Sequence, residues 1–511
     1  MSATDWLTPR ADIAPNTPDY EVLPLVKPTG FREYDARWLF FGEDKATGAP
    51  VSEINLPGVR LLGLGLGTLL HELGGKPHVV VGHDYRSYSG QIKQALITGL
   101  MAAGCTVHDI GLALSPMAYF AQFALNVPGV AMVTASHNDN GWTGVKMGAQ
   151  PPLTFGPDEM ARLKDIVLNG RVEMREGGRL VFHPDMRRRY IDDLIRRGGR
   201  LKRNLKVVCA CGNGTAGLFA PDVLRAMGAE VVELHCRPDH SFPHYNPNPE
   251  AREMLDDMAR AVRESGADLA LGFDGDGDRC GVVDDEGEEI FADKIGVLIA
   301  RDLARRFPGA KFVVDVKSTG LFATDPELGR LGARTEYFKT GHSYIKRRTT
   351  EIGAIAGFEK SGHFFFRPPV GLGYDDGIVS AIAVLHMLDA APDMRMADLK
   401  RALPKTWATD TLKAHCPDEE KYAVVERVTA HYRALAESGE PVAGQRIVDM
   451  NTVNGVRFTL EDGTWGLVRA SSNAPELVVV CESPASEQAR DATLAHIREM
   501  LQDLPQAGPL G

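Results

Sequence analysis

Leu269-Ala270-Leu271-Gly272-Phe273-Asp274-Gly275-Asp276-Gly277-Asp278-Arg279 is the stretch that decides the fold of this chain. An apolar run of strand length stops abruptly, and three aspartates spaced by glycines follow it. A buried strand that empties into a polar loop at its carboxyl end is the way α/β proteins present ligand sites. Clustered carboxylates repel one another unless a cation joins them, and hard oxygen donors at this spacing suit Mg²⁺ or Ca²⁺. An EF-hand also opens D-x-D-x-D, but it needs Gly at position six and Glu at position twelve. Here those are Arg279 and Asp285, so that reading fails. A solvated acidic turn is the bland alternative, and the alternation with glycine argues for a metal loop instead.

The same strand-then-helix rhythm extends in both directions. Val79–Val81 is β-rich, and Gln91 to Ala103 places Ile92, Ala95, Leu96 and Leu100 on one helical face. Val130–Thr134, Lys206–Cys211, Glu230–Leu234, Asp268–Phe273 and Phe312–Val316 read as strands. Leu218–Met227 and Met254–Glu264 read as helices between them, and Tyr374 to Leu388 opens a long apolar helix. This alternation predicts α/β units with largely parallel sheets. The texture changes past Leu403-Pro404. Val456–Leu460 and Trp465–Val468 flank Glu461-Asp462-Gly463 as a hairpin. A last helix carries Leu494, Ile497 and Leu501 on one face, with Ser483 expected as N-cap and Pro484 at N1. The C-terminal part is therefore α+β. The basic stretch from Arg187-Arg188-Arg189 to Lys202-Arg203 and the turn Asp284-Asp285-Glu286-Gly287 mark further boundaries.

Size and composition bound the function. The 511 residues exceed what one core holds and point to about three or four domains. At 44% hydrophobic and 24% charged, the chain is globular rather than disordered. With 57 Lys+Arg against 68 Asp+Glu, the net charge of −11 disfavours a nucleic-acid partner. No apolar run reaches the roughly 18 residues of a membrane span, and Met1–Arg10 lacks a secretory core. Seven scattered cysteines fit a reducing cytoplasmic setting. Cys209-Ala210-Cys211 has no partner CxxC, so it reads as small core residues rather than a zinc site.

Three more motifs carry chemistry. Thr134-Ala135-Ser136-His137-Asn138 ends the Val130–Val133 strand, with Lys146 ten residues on. Alone it is a polar turn, yet such a serine can carry a phosphoryl group. Gly357-Phe358-Glu359-Lys360-Ser361-Gly362-His363 alternates a carboxylate, a hydroxyl and an imidazole. In extended backbone these point one way and suit sugar hydroxyls. Arg469-Ala470-Ser471-Ser472-Asn473-Ala474-Pro475 joins two expected strands, and its guanidinium, hydroxyls and backbone N–H groups suit a phosphate. Two glycine runs compete with these readings. Gly212-Asn213-Gly214-Thr215-Ala216-Gly217 matches the dinucleotide fingerprint, with Glu233 near the ribose-acid position. It leaves the other loops unexplained and reads as a tight turn. Gly63-Leu64-Gly65-Leu66-Gly67 has the wrong spacing and is expected to lead into a short helix.

Taken in this order, the four motifs resemble the α-D-phosphohexomutase superfamily, and within it the bacterial phosphomannomutase/phosphoglucomutase group. Phe31-Arg32-Glu33-Tyr34-Asp35-Ala36-Arg37, Gly82-His83-Asp84-Tyr85-Arg86, His240-Ser241-Phe242-Pro243-His244 with Pro247-Asn248-Pro249, and Lys339-Thr340-Gly341-His342-Ser343-Tyr344-Ile345-Lys346 are similar to further family segments. The resemblance runs from Phe31 to the C-terminus. It departs at Asp139, Thr143, Trp38, His83 and Asn473. Trp38 and Asp139 are expected to flank the catalytic cleft.

The resemblance implies a heart-shaped, four-domain enzyme. Residues 1–180 would be α/β domain I with the phosphoserine loop, and 181–289 α/β domain II with the metal loop. Residues 290–402 would be α/β domain III with the sugar loop, and 403–511 a TBP-like α+β domain IV with the phosphate loop. It implies a cytoplasmic enzyme, monomer or dimer, that interconverts mannose or glucose 1- and 6-phosphates, with no nucleic-acid or membrane partner. One Mg²⁺ per chain would sit on Asp274, Asp276, Asp278 and the phosphate of Ser136, and a hexose 1,6-bisphosphate would be intermediate and activator. Ser136, His137, Lys146, Arg37, Arg279 and His363 would be catalytic. Tyr34, Lys317, His342, Glu359, Ser361, His363, Arg469, Ser471, Ser472 and Asn473 would bind substrate. His363, His342, Lys146 and Arg37 all remain open as general acid or base. Competing readings are a phosphoglucosamine or N-acetylglucosamine-phosphate mutase, a sugar phosphatase, a dehydrogenase and a non-catalytic calcium-binding protein.

Overall fold

The computed structural model describes residues 13–44 and 47–511; the opening stretch Met1–Arg10 lies outside the described residues. The chain divides into two compact units, one of residues 13–290 (apart from 45–46) with 363–396, the other of 291–362 with 397–511.

The first unit holds two sheets. In the first sheet, His78–His83 runs parallel to both Thr106–Leu112 and Gly129–Val133. Arg179–Phe182 extends one edge in parallel, and Trp142–Gly148 and Ala36–Leu39 extend the other in antiparallel register. The strands His78–His83 and Gly129–Val133 are almost wholly buried and read as continuous apolar runs, as strands covered on both faces must. In the second sheet, Lys206–Ala210 lies between parallel neighbours Glu230–Leu234 and Leu269–Phe273. Cys280–Asp284 and Glu289–Ile290 complete it as antiparallel strands. The turn Asp284-Asp285-Glu286-Gly287 is the hairpin bend between these two strands.

Helix Leu56–Glu72 is longer than the short helix expected there. Gly63, Gly65 and Gly67 sit inside it. A Cβ at Gly65 would meet Val167 Cγ2 at 2.5 Å, and one at Gly63 would collide with the carbonyl of Leu96 on helix Ser89–Ala102. The missing side chains let two helices approach closely, which offsets the usual cost of glycine in a helix. Trp38 corrects another expectation. Its indole is fully buried, donates to the Lys27 carbonyl at 2.8 Å and meets Phe31 edge-on. It therefore belongs to the core and flanks no cleft.

In the second unit, Lys311–Asp315 lies between Arg334–Phe338 and Ala356–Phe358, all parallel. The C-terminal part is an antiparallel sheet in the order Trp407–Ala408, Glu476–Ser483, Trp465–Ala470, Val456–Leu460, Ile447–Asn451. Helices Lys421–Ser438 and Glu487–Gln502 close its core around Tyr432, Phe458 and Ile497. The last helix starts later than expected. Ser483 ends the preceding strand, where it pairs with Trp407, and Ser486 is the N-cap, accepting from Ala489 N. Three α/β layers and one α+β layer thus follow in the expected order. Among the described residues, no helix is long and apolar enough to cross a membrane.

Candidate active site

Ser136 lies just past the end of strand Gly129–Val133 and takes a left-handed backbone conformation, φ 52°. Such a φ is costly for a residue with a Cβ and persists only where surrounding contacts impose it. Here they are visible. Thr134 Oγ1 accepts from Ser136 N at 2.8 Å. Arg86 donates to the carbonyls of Ser136 and Asn138 at 2.9 and 2.7 Å. Asp84 anchors Arg86 by a buried ion pair and accepts from Ser89 Oγ and Thr134 Oγ1 at 2.6 and 2.9 Å. Asp84 and Arg86 lie in the quoted Gly82–Arg86 segment, but no role was read for them. The DxR spacing at a strand end was the available signal.

The aspartate loop meets this turn. Ser136 Oγ donates to Asp274 Oδ2 at 3.2 Å and lies 3.2 Å from His137 Nδ1. Gly275 makes the approach possible, because a Cβ there would stand 2.5 Å from the Ser136 carbonyl oxygen. Asp274, Asp276 and Asp278 are fully buried, with one oxygen of each within 4.8 Å of the others. Lys146, on strand Trp142–Gly148, donates to Asp276 Oδ2 at 2.7 Å and to Asp278 Oδ2. Ser115 Oγ donates to Asp276 Oδ2 at 2.6 Å, and Arg279 Nε to Asp274 Oδ2 at 3.0 Å. The Arg279 guanidinium also donates to Glu250 Oε2 at 2.9 Å and to Asn248 Oδ1 at 3.3 Å.

The charges do not balance locally. Burial opposes the charge on Lys146, yet Asp276 and Asp278 hold its pKa well above the ordinary range. Burial, then the Asp276 charge, pushes Asp278 upward. Asp276 Oδ1 and Asp278 Oδ1 are buried and accept no hydrogen bond among the described residues. Oxygen donors left over at a site rich in negative charge fit one hard divalent cation. The Arg279 charge, then burial, then Arg37 depress His137 well below 6.5, which favours the neutral imidazole beside the unphosphorylated serine.

Arg37 donates to Asn138 Oδ1 at 2.6 Å and pairs with Asp35. Tyr34 is buried nearby in the chain. His363 reaches the aspartate loop through a backbone bridge to Arg279. Its Nδ1 lies 3.0 Å from Asp375 Oδ2 and 3.7 Å from Asp278 Oδ1. Asp375, unmarked by any motif in the sequence, fixes the orientation of this ring.

The remaining candidates lie in the second unit. Residues 359–362 form a turn closed by Gly362 N donating to Glu359 O at 3.0 Å, not the extended run expected. Glu359 and Ser361 nevertheless meet, since Ser361 Oγ donates to Glu359 Oε2 at 3.2 Å. Glu359 Oε1 accepts from Gly341 N at 2.6 Å, at the start of helix His342–Glu351, where His342 is buried. Asp315 ties three loops together. It accepts from Ser318 Oγ at 2.5 Å, Thr340 Oγ1 at 3.0 Å and Lys360 N at 3.2 Å, and Lys317 Nζ lies 3.9 Å away. Arg469 donates to Asn454 Oδ1 at 2.8 Å and to Ser472 Oγ at 3.3 Å. Ser471 Oγ accepts weakly from Asn473 N at 3.4 Å, in the same hairpin loop. Asp315 and Asn454 were not singled out by sequence, because a lone polar residue at a strand end carries no signature.

Four family models match consecutive parts of the chain. Phosphoglucomutase/phosphomannomutase alpha/beta/alpha domains I, II and III match residues 39–173, 188–287 and 291–407. The C-terminal domain model of the same set matches 412–500. A phosphomannomutase/phosphoglucomutase of Pseudomonas putida is 35% identical over 432 residues, 83% of this chain and 87% of that protein. One of Pseudomonas syringae pv. tomato is 33% identical over 491 residues, 94% and 98% of the two chains. The crystal structure of a phosphoglucomutase/phosphomannomutase family protein from Burkholderia thailandensis superposes with TM-score 0.81 at 28% identity, covering 95% of this chain and 99% of that one.

Proposed function

Because this chain belongs to the phosphoglucomutase/phosphomannomutase family, we propose that it interconverts the 1-phosphate and 6-phosphate of glucose or mannose, with Ser136 as phosphoryl carrier. The observation that carries this reading is the strained turn at Ser136, whose hydroxyl meets Asp274 in a buried cluster where Asp276 and Asp278 each keep one uncommitted oxygen. A hydroxyl held this way can give and take a phosphoryl group if the transferring oxygens are neutralised.

The roles follow from the contacts. Phosphorylated Ser136 donates its phosphoryl group to the free hydroxyl of a hexose monophosphate. The hexose 1,6-bisphosphate so formed turns over and returns its other phosphate to Ser136. Asp274, Asp276 and Asp278 would hold Mg²⁺, which when bound neutralises the phosphoryl oxygens. Lys146 keeps Asp276 charged, opposes the upward push on Asp278 and holds both carboxylates in place. Arg279 and Arg37 supply positive charge around the serine turn. His137, 3.2 Å from Ser136 Oγ, gives that oxygen a proton as the phosphoryl group leaves and takes it back as neutral imidazole on the return transfer. His363, oriented by Asp375, takes the proton of the attacking sugar hydroxyl in the first transfer and returns it to the departing sugar oxygen in the second. Glu359, Ser361, Lys317, His342 and Tyr34 are assigned to the sugar, and Arg469, Ser471, Ser472 and Asn473 to the phosphate that stays in place.

The test is Ser136→Ala assayed with glucose 1-phosphate, mannose 1-phosphate and glucosamine 1-phosphate, each with Mg²⁺ and a trace of the matching bisphosphate. Loss of all turnover is expected, and full activity would overturn the phosphoserine role. Native protein that converts only glucosamine phosphate would overturn the sugar assignment.

A further inference from the structure

Cys209 and Cys211, left without a partner by their sequence spacing, gain one in the fold. Residues two apart along extended backbone share a face, so both sulfurs leave the same side of strand Lys206–Ala210 and its exit. Val208 and Ala210 alternate with them and enter the core beside helix Arg252–Ser265. The neighbouring parallel strand Glu230–Leu234 ends alongside, and Cys236 follows two residues later. Cys236 Sγ lies 3.5 Å from Cys211 Sγ and donates to the Cys209 carbonyl at 3.0 Å. Cys209 Sγ and Cys211 Sγ are 3.8 Å apart, and all three sulfurs lie within 4.8 Å of one another. Cys209 and Cys211 are fully enclosed, and Cys236 is 4% exposed.

We propose that Cys209, Cys211 and Cys236 form a three-sulfur site for one thiophilic d¹⁰ cation, and that monovalent copper is the occupant. Soft thiolates select copper(I) and zinc over the harder divalent ions. With metal–sulfur bonds of about 2.3 Å, three sulfurs of a trigonal site stand about 4 Å apart. The observed separations need only small side-chain adjustments to reach that. Structural zinc wants four ligands. Among the described residues, no fourth cysteine, histidine or carboxylate joins the group. His235, next in sequence, is committed elsewhere: its Nε2 lies 2.7 Å from Asp257 Oδ2 and its ring stacks on His244. A closed three-ligand cluster therefore matches a three-coordinate ion.

The location also suits a ligand, at the carboxyl ends of two adjacent parallel strands. Loading exchanges thiol S–H bonds for copper–sulfur bonds and releases the protons to solvent. No electrons move, because the metal enters as Cu⁺. The turn leaving the site reaches the aspartate loop, since Thr215 N donates to Gly275 O at 3.4 Å. The two metal sites are nonetheless built from different donors, sulfur in one and oxygen in the other.

The full chain, reduced and free of oxygen, is titrated with Cu⁺ against the copper(I) chelator bathocuproine disulfonate. X-ray absorption then counts the sulfurs on the bound metal. The expected result is one tightly held Cu⁺ per chain with three sulfurs at about 2.3 Å. Cys236→Ser should weaken it at least about tenfold and leave sugar-phosphate turnover unchanged. Copper surrendered entirely to the chelator, two sulfurs instead of three, or undiminished affinity in Cys236→Ser would each overturn the site. Stoichiometric zinc displacing the copper would overturn the three-coordinate assignment. The sulfur count is made on the unmodified chain, so it decides the matter even if the variant does not fold.

Discussion

Replacing Gly275 with alanine isolates the contact on which the proposed chemistry depends. Gly275 does not have a positive φ, so alanine brings no backbone strain there. What it brings is a Cβ 2.5 Å from the Ser136 carbonyl oxygen, whereas real Cβ atoms essentially never come within 3.0 Å of a neighbour. The obstacle is backbone and cannot rotate away. The aspartate loop and the serine turn must separate by about 0.5 Å to reach the tightest tolerated contact, and by about 0.9 Å to reach an ordinary one. That motion falls on the 3.2 Å approach of Ser136 Oγ to Asp274. A misplacement near 1 Å costs about 100-fold in rate, or about 2.7 kcal/mol of barrier. The overpacking itself costs about 1–3 kcal/mol, within the stability a domain of this size holds. Gly275→Ala should therefore fold and lose about 100-fold in kcat. KM should change little, because the groups assigned to the sugar are untouched, so kcat and kcat/KM fall together. Conversion of glucose 1-phosphate, coupled to glucose 6-phosphate dehydrogenase, measures the rate, and circular dichroism checks the fold. A folded variant with kcat within twofold of the native value would refute the reasoning, as would a loss confined to KM.

Asp276→Asn removes one buried charge from beside Lys146 and one cation donor. The Mg²⁺ concentration for half-maximal turnover, titrated after chelation, should rise at least about tenfold, and an unchanged Mg²⁺ dependence would exclude the triad as the metal site. The stacked histidines His78, His108 and His183, linked at 3.1 and 3.0 Å, make the first unit pH-sensitive. Burial, then the neighbouring imidazoles, pushes His108 down to about 4, so the folded state binds fewer protons than the unfolded one. This contribution is fully present above the ordinary value near 6.5 and is lost as pH falls toward 4. The urea midpoint should drop between pH 7 and pH 5, and less steeply in His108→Asn; parallel slopes would remove the effect. Arg457 lies between Tyr337 and Trp465, 4.2 and 3.7 Å from the ring centroids, and donates to the carbonyls of Val316 and Ser318 at 2.8 Å each. Those carbonyls flank Lys317, so Arg457→Met should lower kcat/KM about tenfold and cost about 2–5 kcal/mol of stability. Arg457→Lys should not rescue it, because an ammonium neither stacks nor forks, and a fully active lysine variant would show that charge alone suffices.

The readable parts of the sequence were those governed by local rules. The period of the apolar runs gave the α/β rhythm, and Glu461-Asp462-Gly463 gave the hairpin turn, because both depend on residues a few positions apart. Local rules also misled in places. Ser483 has the chemistry of an N-cap, but pairing with Trp407 keeps it in a strand, and Ser486 takes the role. Glu359, Ser361 and His363 alternate as a strand face should, yet Gly362 closes a turn there. The Gly63–Gly67 run, expected only to lead into a short helix, lies inside one, because backbone and side chains packed against it fill the space that the missing Cβ atoms leave. In each case a distant partner outweighed a local preference.

The sequence by itself determined which chemical groups are present and which backbone segments can present them: the three aspartates, the serine turn, the basic hairpin loop. Only the tertiary structure decided who meets whom. Ser136 and Asp274 are 138 residues apart, and Lys146 and Asp276 are 130 apart, yet they share one buried cluster. Asp84, Asp315, Asp375 and Cys236 acquire significance only from neighbours brought there by other strands. The physical reason is that periodicity and turn chemistry are short-ranged. A buried charge or thiol is instead defined by the sheet register and packing that set its surroundings, and those depend on the whole chain at once.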